Sequence, residues 1–198
     1  MKFAGFGKIV AGVIGVALVI WIGRMVTTPP PGEKKPDQGR EHVSEADVAK
    51  FAYNSNPPTS GPHLISWVKP GVYTTVQSEG ELIHSLEHGY ITIHYNCNAP
   101  PGQSFKGQAS VSAELSGPQA TSSVVNDTDD CKKLINDLAT IARKKKLFKL
   151  LVVPRPQLAR VIGLAAWTYI DTFDAYDEKR IVRFIDYHRD HGLEQTME

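Results

Sequence analysis

Cysteine is scarce, with only Cys97 and Cys131 in 198 residues. Two thiols build neither a Cys-rich zinc module nor a four-cysteine iron–sulfur cluster within one chain. No C-x-x-C occurs, so nothing supports a thioredoxin-type redox role. The three methionines stand at 1, 25 and 197, which argues against a Met-rich copper(I) site. Neither sign of charge is in excess: 22 Lys and Arg face 21 Asp and Glu, and no nucleic-acid partner is expected. The sequence contains no phosphate-binding G-x-x-x-x-G-K-[ST], no dinucleotide G-x-G-x-x-G and no G-x-S-x-G nucleophile turn. Hydrophobic residues make up 41% of the chain, enough for a buried core, which excludes whole-chain disorder.

The charge balance hides an asymmetry. Residues 1–30 hold Lys2, Lys8 and Arg24 and no acid, leaving a net of −2 for the rest. Residues 9–23 carry no charge, and residues 3–7 extend the apolar run across Lys8. With Lys8 and Arg24 snorkelling, about 20 residues can cross a bilayer. Arg24-Met25-Val26 does not fit a small-x-small cleavage site, so the sequence predicts an uncleaved anchor over 1–26, in the membrane through residues 3–26. Basic residues flank the run on both sides, so charge alone does not orient it. Residues 27–40 contain four prolines without periodicity and read as a linker. The domain is expected over 41–198, a size that suits one domain.

Within it, residues 42–51 suggest a short helix capped by Ser44, and residues 81–88 two helical turns ended by Gly89. Residues 90–97 alternate, with Ile91, Ile93, Tyr95 and Cys97 on one face and Thr92, His94 and Asn96 on the other, as in a half-buried strand. Residues 98–128 are polar and rich in Gly, Pro and Ser. A helix capped by Asp129 or Asp130 follows to about 146, then apolar strands near 147–153 and 160–169, then a helix capped by Asp177. The expected fold is α+β: a single compact domain with a small mixed or antiparallel sheet and two principal helices, preceded by one transmembrane helix.

Both cysteines follow the apolar run, the usual pattern outside the cytosol. A structural disulfide between Cys97 and Cys131 is therefore expected over a metal-bound or reactive thiol pair, with the domain on the extracytoplasmic (periplasmic or extracellular) side. The basic run 143–146 complements a helix C-terminus.

Histidine clustering is the most informative feature. His84 and His88 are four residues apart, on one face of a helix and close enough to chelate one ion. The string His84-Ser85-Leu86-Glu87-His88 matches H-x-x-E-H, an inverted zinc-peptidase motif, but Gly89 ends the helix at once. His63 closes a Pro-rich turn whose backbone can aim its ring. His63, His84 and His88 are accordingly the expected metal ligands, for a copper or zinc ion, with Glu87 and His188 as candidate ligands or partners of ligands. His188 shares an apolar stripe with Ile181, Phe184 and Ile185, the usual setting of a core histidine. His42 and His191 read as solvated and His94 as facing out from a strand.

These segments together resemble the DUF3105 family of membrane-anchored bacterial and archaeal proteins of unknown function. The carrying residues are Tyr53-Asn54-Ser55-Asn56-Pro57-Pro58-Thr59-Ser60-Gly61-Pro62-His63, Trp67, Gly71-Val72-Tyr73 and the run from Glu81 through His84-Ser85-Leu86-Glu87-His88-Gly89-Tyr90. Pro154, Ala166-Trp167 and Phe184-Ile185-Asp186-Tyr187-His188-Arg189-Asp190 add to it. Gly192-Leu193-Glu194 departs from the Gly-Pro-Glu the family usually carries there. The resemblance implies one N-terminal span followed by this domain, and no chemistry. Three functions stay open on sequence: metal handling or an accessory subunit of a membrane assembly with a membrane-protein partner, a metal-free structural or partner-binding domain, and a metal-dependent hydrolase.

Overall fold

The structure, a computed structural model, describes residues 13–15, 18, 29–99, 128–194 and 196. Most of the apolar run at 3–26 and most of the polar segment 98–128 lie outside the described residues. Among the described residues no helix is long and apolar enough to cross a membrane. The chain divides into two units, Met1–Pro30 and Pro31–Glu198.

The second unit is α+β. It contains β1 (Glu33–Lys34), α1 (Glu45–Lys50), β2 (Gly71–Val72), α2 (Glu79–Glu87), β3 (Ile91–Tyr95), α3 (Asp129–Lys144), β4 (Leu150–Pro154), β5 (Ile162–Ala166), β6 (Tyr169–Phe173) and α4 (Glu178–His188). The six strands form one mixed sheet in the order β1-β6-β5-β3-β4-β2. β3 and β2 run parallel to β4, and the other pairs are antiparallel.

β3 is covered on both faces, which corrects the half-buried reading. Ile91, Ile93 and Tyr95 pack with Leu138 and Ile141 of α3 and Ile181, Phe184 and Ile185 of α4. The opposite face of the sheet carries Leu151, Val153 and Ala165, covered by Leu82, Ile83 and Leu86 of α2 with Tyr90, Val68 and Trp167. Sequence alternation shows which residues share a face but not whether a second layer covers the other. Each fully buried Leu or Ile here stabilises the domain by roughly 1.5–3 kcal/mol.

Caps define the helices much as expected. Ser44 accepts from Asp47 N at α1, and Asp177 from Arg180 N at α4. α3 differs by one residue, since Thr128 rather than an Asp takes the cap position and accepts from Cys131 N. The aspartates then occupy the first turn, where they complement the helix dipole. Part of the presumed linker is folded: β1 pairs with β6, and Lys35 N donates to Thr168 O at 2.8 Å.

His94, expected on a polar face, is buried. Its Nε2 lies 2.9 Å from Thr92 Oγ1. Burial first, and then Arg155, holds its imidazole well below the ordinary value. The neutral form is thus favoured in the folded state, whereas the unfolded chain takes up a proton at about 6.5. Stability should be fully present above about pH 6.5 and fall below it by up to about 1.4 kcal/mol per pH unit. Between about pH 7 and about pH 5 this amounts to about 2 kcal/mol. Guanidinium unfolding at the two pH values measures it. A His94→Gln variant showing the same pH dependence as the parent would refute the assignment.

Candidate metal centre

The site forms where the Pro-rich turn meets α2. The turn is held from several sides. The Tyr53 hydroxyl donates to Pro62 O at 2.6 Å, and Thr168 N donates to Thr59 O at 2.9 Å. Arg155 donates to Asn56 Oδ1 and forms a bidentate pair with both carboxylate oxygens of Glu79. At Gly61, φ is +124° and a Cβ would stand 2.9 Å from the Tyr53 ring, so only glycine suits this corner. The corner also orients the next histidine: Gly61 O lies 2.9 Å from His63 Nδ1.

A carbonyl only accepts, so His63 Nδ1 carries the proton and Nε2 the lone pair. That Nε2 is 3.0 Å from Glu87 Oε2. Both side chains are essentially excluded from solvent, and neither His63 Nε2 nor either Glu87 oxygen has a hydrogen-bond partner. Arg40 Nη1, largely exposed, is 3.7 Å from Glu87 Oε1. Burial holds the His63 imidazole below its ordinary value, more than Gly61 and Glu87 raise it. The ring is therefore neutral near pH 7, and two buried acceptors face each other. Such an arrangement is costly unless a cation or a proton lies between them.

His84 repeats the pattern. Its Nδ1 donates to Leu64 O at 2.6 Å, which leaves Nε2 as the one lone pair, 2.9 Å from His88 Nε2. Both rings come from α2 and its C-terminal cap, on one face, as the i, i+4 spacing requires. Glu194 Oε2 approaches His88 Nε2 at 3.4 Å. Trp67 flanks the pair, with ring centroids 5.6 Å from His84 and 4.9 Å from His88.

Two overlapping ligand groups result. His42, His63, His84 and Glu87 offer atoms within 4.8 Å of one another, and so do His84, His88 and Glu194. Metal–ligand bonds of about 2.0–2.1 Å place neighbouring ligand atoms roughly 3–4 Å apart, so closing on an ion takes a side-chain shift of about 1 Å. Imidazole and carboxylate donors without thiolate suit zinc and copper(II).

Of the residues expected from the sequence, His63, His84, His88 and Glu87 come together here. His188 does not join them: its Nε2 lies 2.8 Å from Pro31 O, and its ring packs on Tyr169 and Phe184. Two members were missed. His42, read as solvated, is exposed yet stacks on His84 at 4.9 Å and meets His63 edge-on at 5.0 Å. A one-residue parallel bridge, His42 to His63, brings it there, with Val43 N on His63 O and His63 N on Glu41 O. Glu194 arrives through a turn after α4. No local motif marks either residue.

That last turn is tightly built. Asp190 N donates to Gly89 O at 2.8 Å and Glu194 N to Glu87 O at 3.0 Å. A Cβ at Gly192 would lie 2.1 Å from Gly89 N and 2.2 Å from Glu87 O. Gly192→Ala should therefore push the turn off α2, cost about 1–3 kcal/mol and displace Glu194 from His88. Thermal unfolding measures the loss; an unchanged melting temperature would contradict this packing.

The inverted-peptidase match fares differently in three dimensions. Glu87, the acid of the H-x-x-E-H string, faces His63 inside the first ligand group. The Cys97–Cys131 disulfide forms, with a Cα–Cα separation of 5.5 Å.

The family model described as a protein of unknown function, DUF3105, matches residues 42–125 and 120–198. No curated protein and no solved structure matches the chain.

Proposed function

The chain belongs to the DUF3105 family, a membership that brings no activity with it, and we propose from the site itself that the protein binds a divalent transition metal. The ion, zinc or copper(II), is held by His63, His84 and Glu87, with His42 completing the set and His88 beside it, 2.9 Å from His84. One observation carries this reading: a neutral His63 Nε2 and the Glu87 carboxylate face each other at 3.0 Å, buried and without hydrogen-bond partners. A divalent ion between them satisfies both groups at once. Two further histidines on the same spot are more than a proton alone would need.

The role is metal handling, or an accessory part of a membrane assembly, rather than turnover. With Glu87 among the ligands, no carboxylate in the buried group is left over to act as a base on metal-bound water. The apolar run at 3–26 and the disulfide support an anchored domain on the extracytoplasmic side.

The test is metal content, by elemental mass spectrometry, of the purified full-length chain and of a His63/His84/His88→Ala triple variant. About one zinc or copper per chain is expected in the parent and none in the variant. An apo parent that takes up neither Zn2+ nor Cu2+ on reconstitution would sink the proposal.

A further inference from the structure

His84 belongs to both ligand groups, yet it has one lone pair to give. Its Nδ1 proton is committed to Leu64 O at 2.6 Å, so only Nε2 can bind an ion. Two ions held at once could not both bind His84 without a bridging imidazolate, which that hydrogen bond opposes. Resting on the metal-binding reading, we infer that the two groups are successive stations for a single ion, and that the C-terminal turn supplies Glu194 as the exchange ligand through which the ion enters and leaves.

The stations differ in the way a transfer route requires. The inner one contains His63 and Glu87, each at most 1% exposed, with only the His42 ring at its edge reaching solvent. The outer one contains His88 and Glu194, and the Glu194 side chain is 47% exposed. Glu194 is thus the carboxylate of the two groups that water and incoming cations reach directly. Its position is fixed rather than incidental: Glu194 N on Glu87 O and Asp190 N on Gly89 O tie the turn to the end of α2. His84 Nε2 is 2.9 Å from His88 Nε2, so an ion at the outer station is already bound to the one atom it keeps on moving inward. It then exchanges His88 and Glu194 for His63 and Glu87. Nothing is oxidised or reduced; the proton that His88 Nε2 shares with His84 Nε2 in the metal-free state passes to His88 Nδ1 when the ion takes Nε2, so the ring stays neutral, and it returns when the ion leaves. A ligand-by-ligand exchange avoids exposing a bare ion in a dry site, which would carry a large desolvation penalty.

The experiment uses the full-length chain loaded with Zn2+. Native mass spectrometry gives the stoichiometry, and stopped-flow transfer to a chromophoric chelator gives the release rate. One ion per chain is expected even at excess Zn2+. Glu194→Gln should slow both loading and release about 10-fold while changing affinity less than about 3-fold, because it removes a ligand of the route and not of the resting site. Glu87→Gln should weaken affinity itself, by about 10-fold or more. Two ions per chain would overturn the inference, as would unchanged rates in Glu194→Gln. Faster release with a matching loss of affinity would make Glu194 a resident ligand and also overturn it. Slowed exchange in His42→Ala alone would place the entry on the other side and do the same. All four results leave metal binding itself intact; only the absence of any Zn2+ uptake would remove both readings together.

Discussion

Glu87→Gln should make the metal-free protein more stable and, at the same time, abolish its stabilisation by metal. The two effects have one cause. In the metal-free protein the Glu87 carboxylate and the His63 Nε2 lone pair are both acceptors, 3.0 Å apart and buried. Glutamine keeps the shape, removes the charge and supplies an N–H that can donate to His63 Nε2. Relieving an unsatisfied buried acceptor is worth about 1–3 kcal/mol. The same substitution removes the one anionic ligand of the inner group. A ligand at about 100 times its dissociation constant stabilises the parent by about 2.7 kcal/mol. Thermal unfolding with and without Zn2+ measures both: the variant should melt higher than the parent without metal and show almost no shift with it. A variant that melts lower than the metal-free parent would show that Glu87 is a structural acid whose partner lies elsewhere. This opposition between stability and binding is the signature expected of a site built for a ligand, where local strain is tolerated for the sake of binding.

Reducing the disulfide should cost about as much. Cys97 follows β3, at the centre of the sheet, and Cys131 lies in the first turn of α3, 34 residues on. Closing a loop of this length removes about 3–4 kcal/mol of unfolded-chain entropy in the loop-closure account. α3 covers the sheet through Leu138, Ile141 and Ala142, so loosening its N-terminal turn is felt in the main core. The metal groups lie across the sheet, on the α2 side. A Cys97→Ser/Cys131→Ser variant should therefore lose about 3–4 kcal/mol in chemical unfolding while keeping Zn2+ affinity within a few-fold. Loss of metal binding in a variant that is still folded would contradict this separation of the two faces.

How much of this was readable along the chain follows from the range of each interaction. The i, i+4 spacing of His84 and His88 is a local property of a helix, so it predicts converging rings before any fold is known. The same holds for the caps at Ser44 and Asp177, and nearly so for α3, where the cap moved one residue to Thr128 because hydroxyl and carboxylate caps compete at adjacent positions. The pairing of the only two cysteines needed no geometry. The alternation of β3 was legible too, but not that α2 would cover its second face, and so His94 was placed toward solvent when it is buried. His188 sat on an apolar stripe, and its core role was the plain reading; its ring nitrogen meets Pro31 O, 157 residues earlier.

By itself, then, the sequence determined the α+β class, the caps at Ser44 and Asp177, the disulfide pairing and the convergence of His84 and His88 on one helix face. These depend on contacts between near neighbours or on the scarcity of a residue type. Only the tertiary structure decided that His42 joins through a bridge to His63, that Glu87 turns toward His63, and that the last turn carries Glu194 onto His88. Each of those rests on backbone hydrogen bonds between segments far apart in the chain, and such bonds have no side-chain signature. Hydrophobic periodicity records which face of an element is buried, and it is silent about which distant loop comes to lie against it.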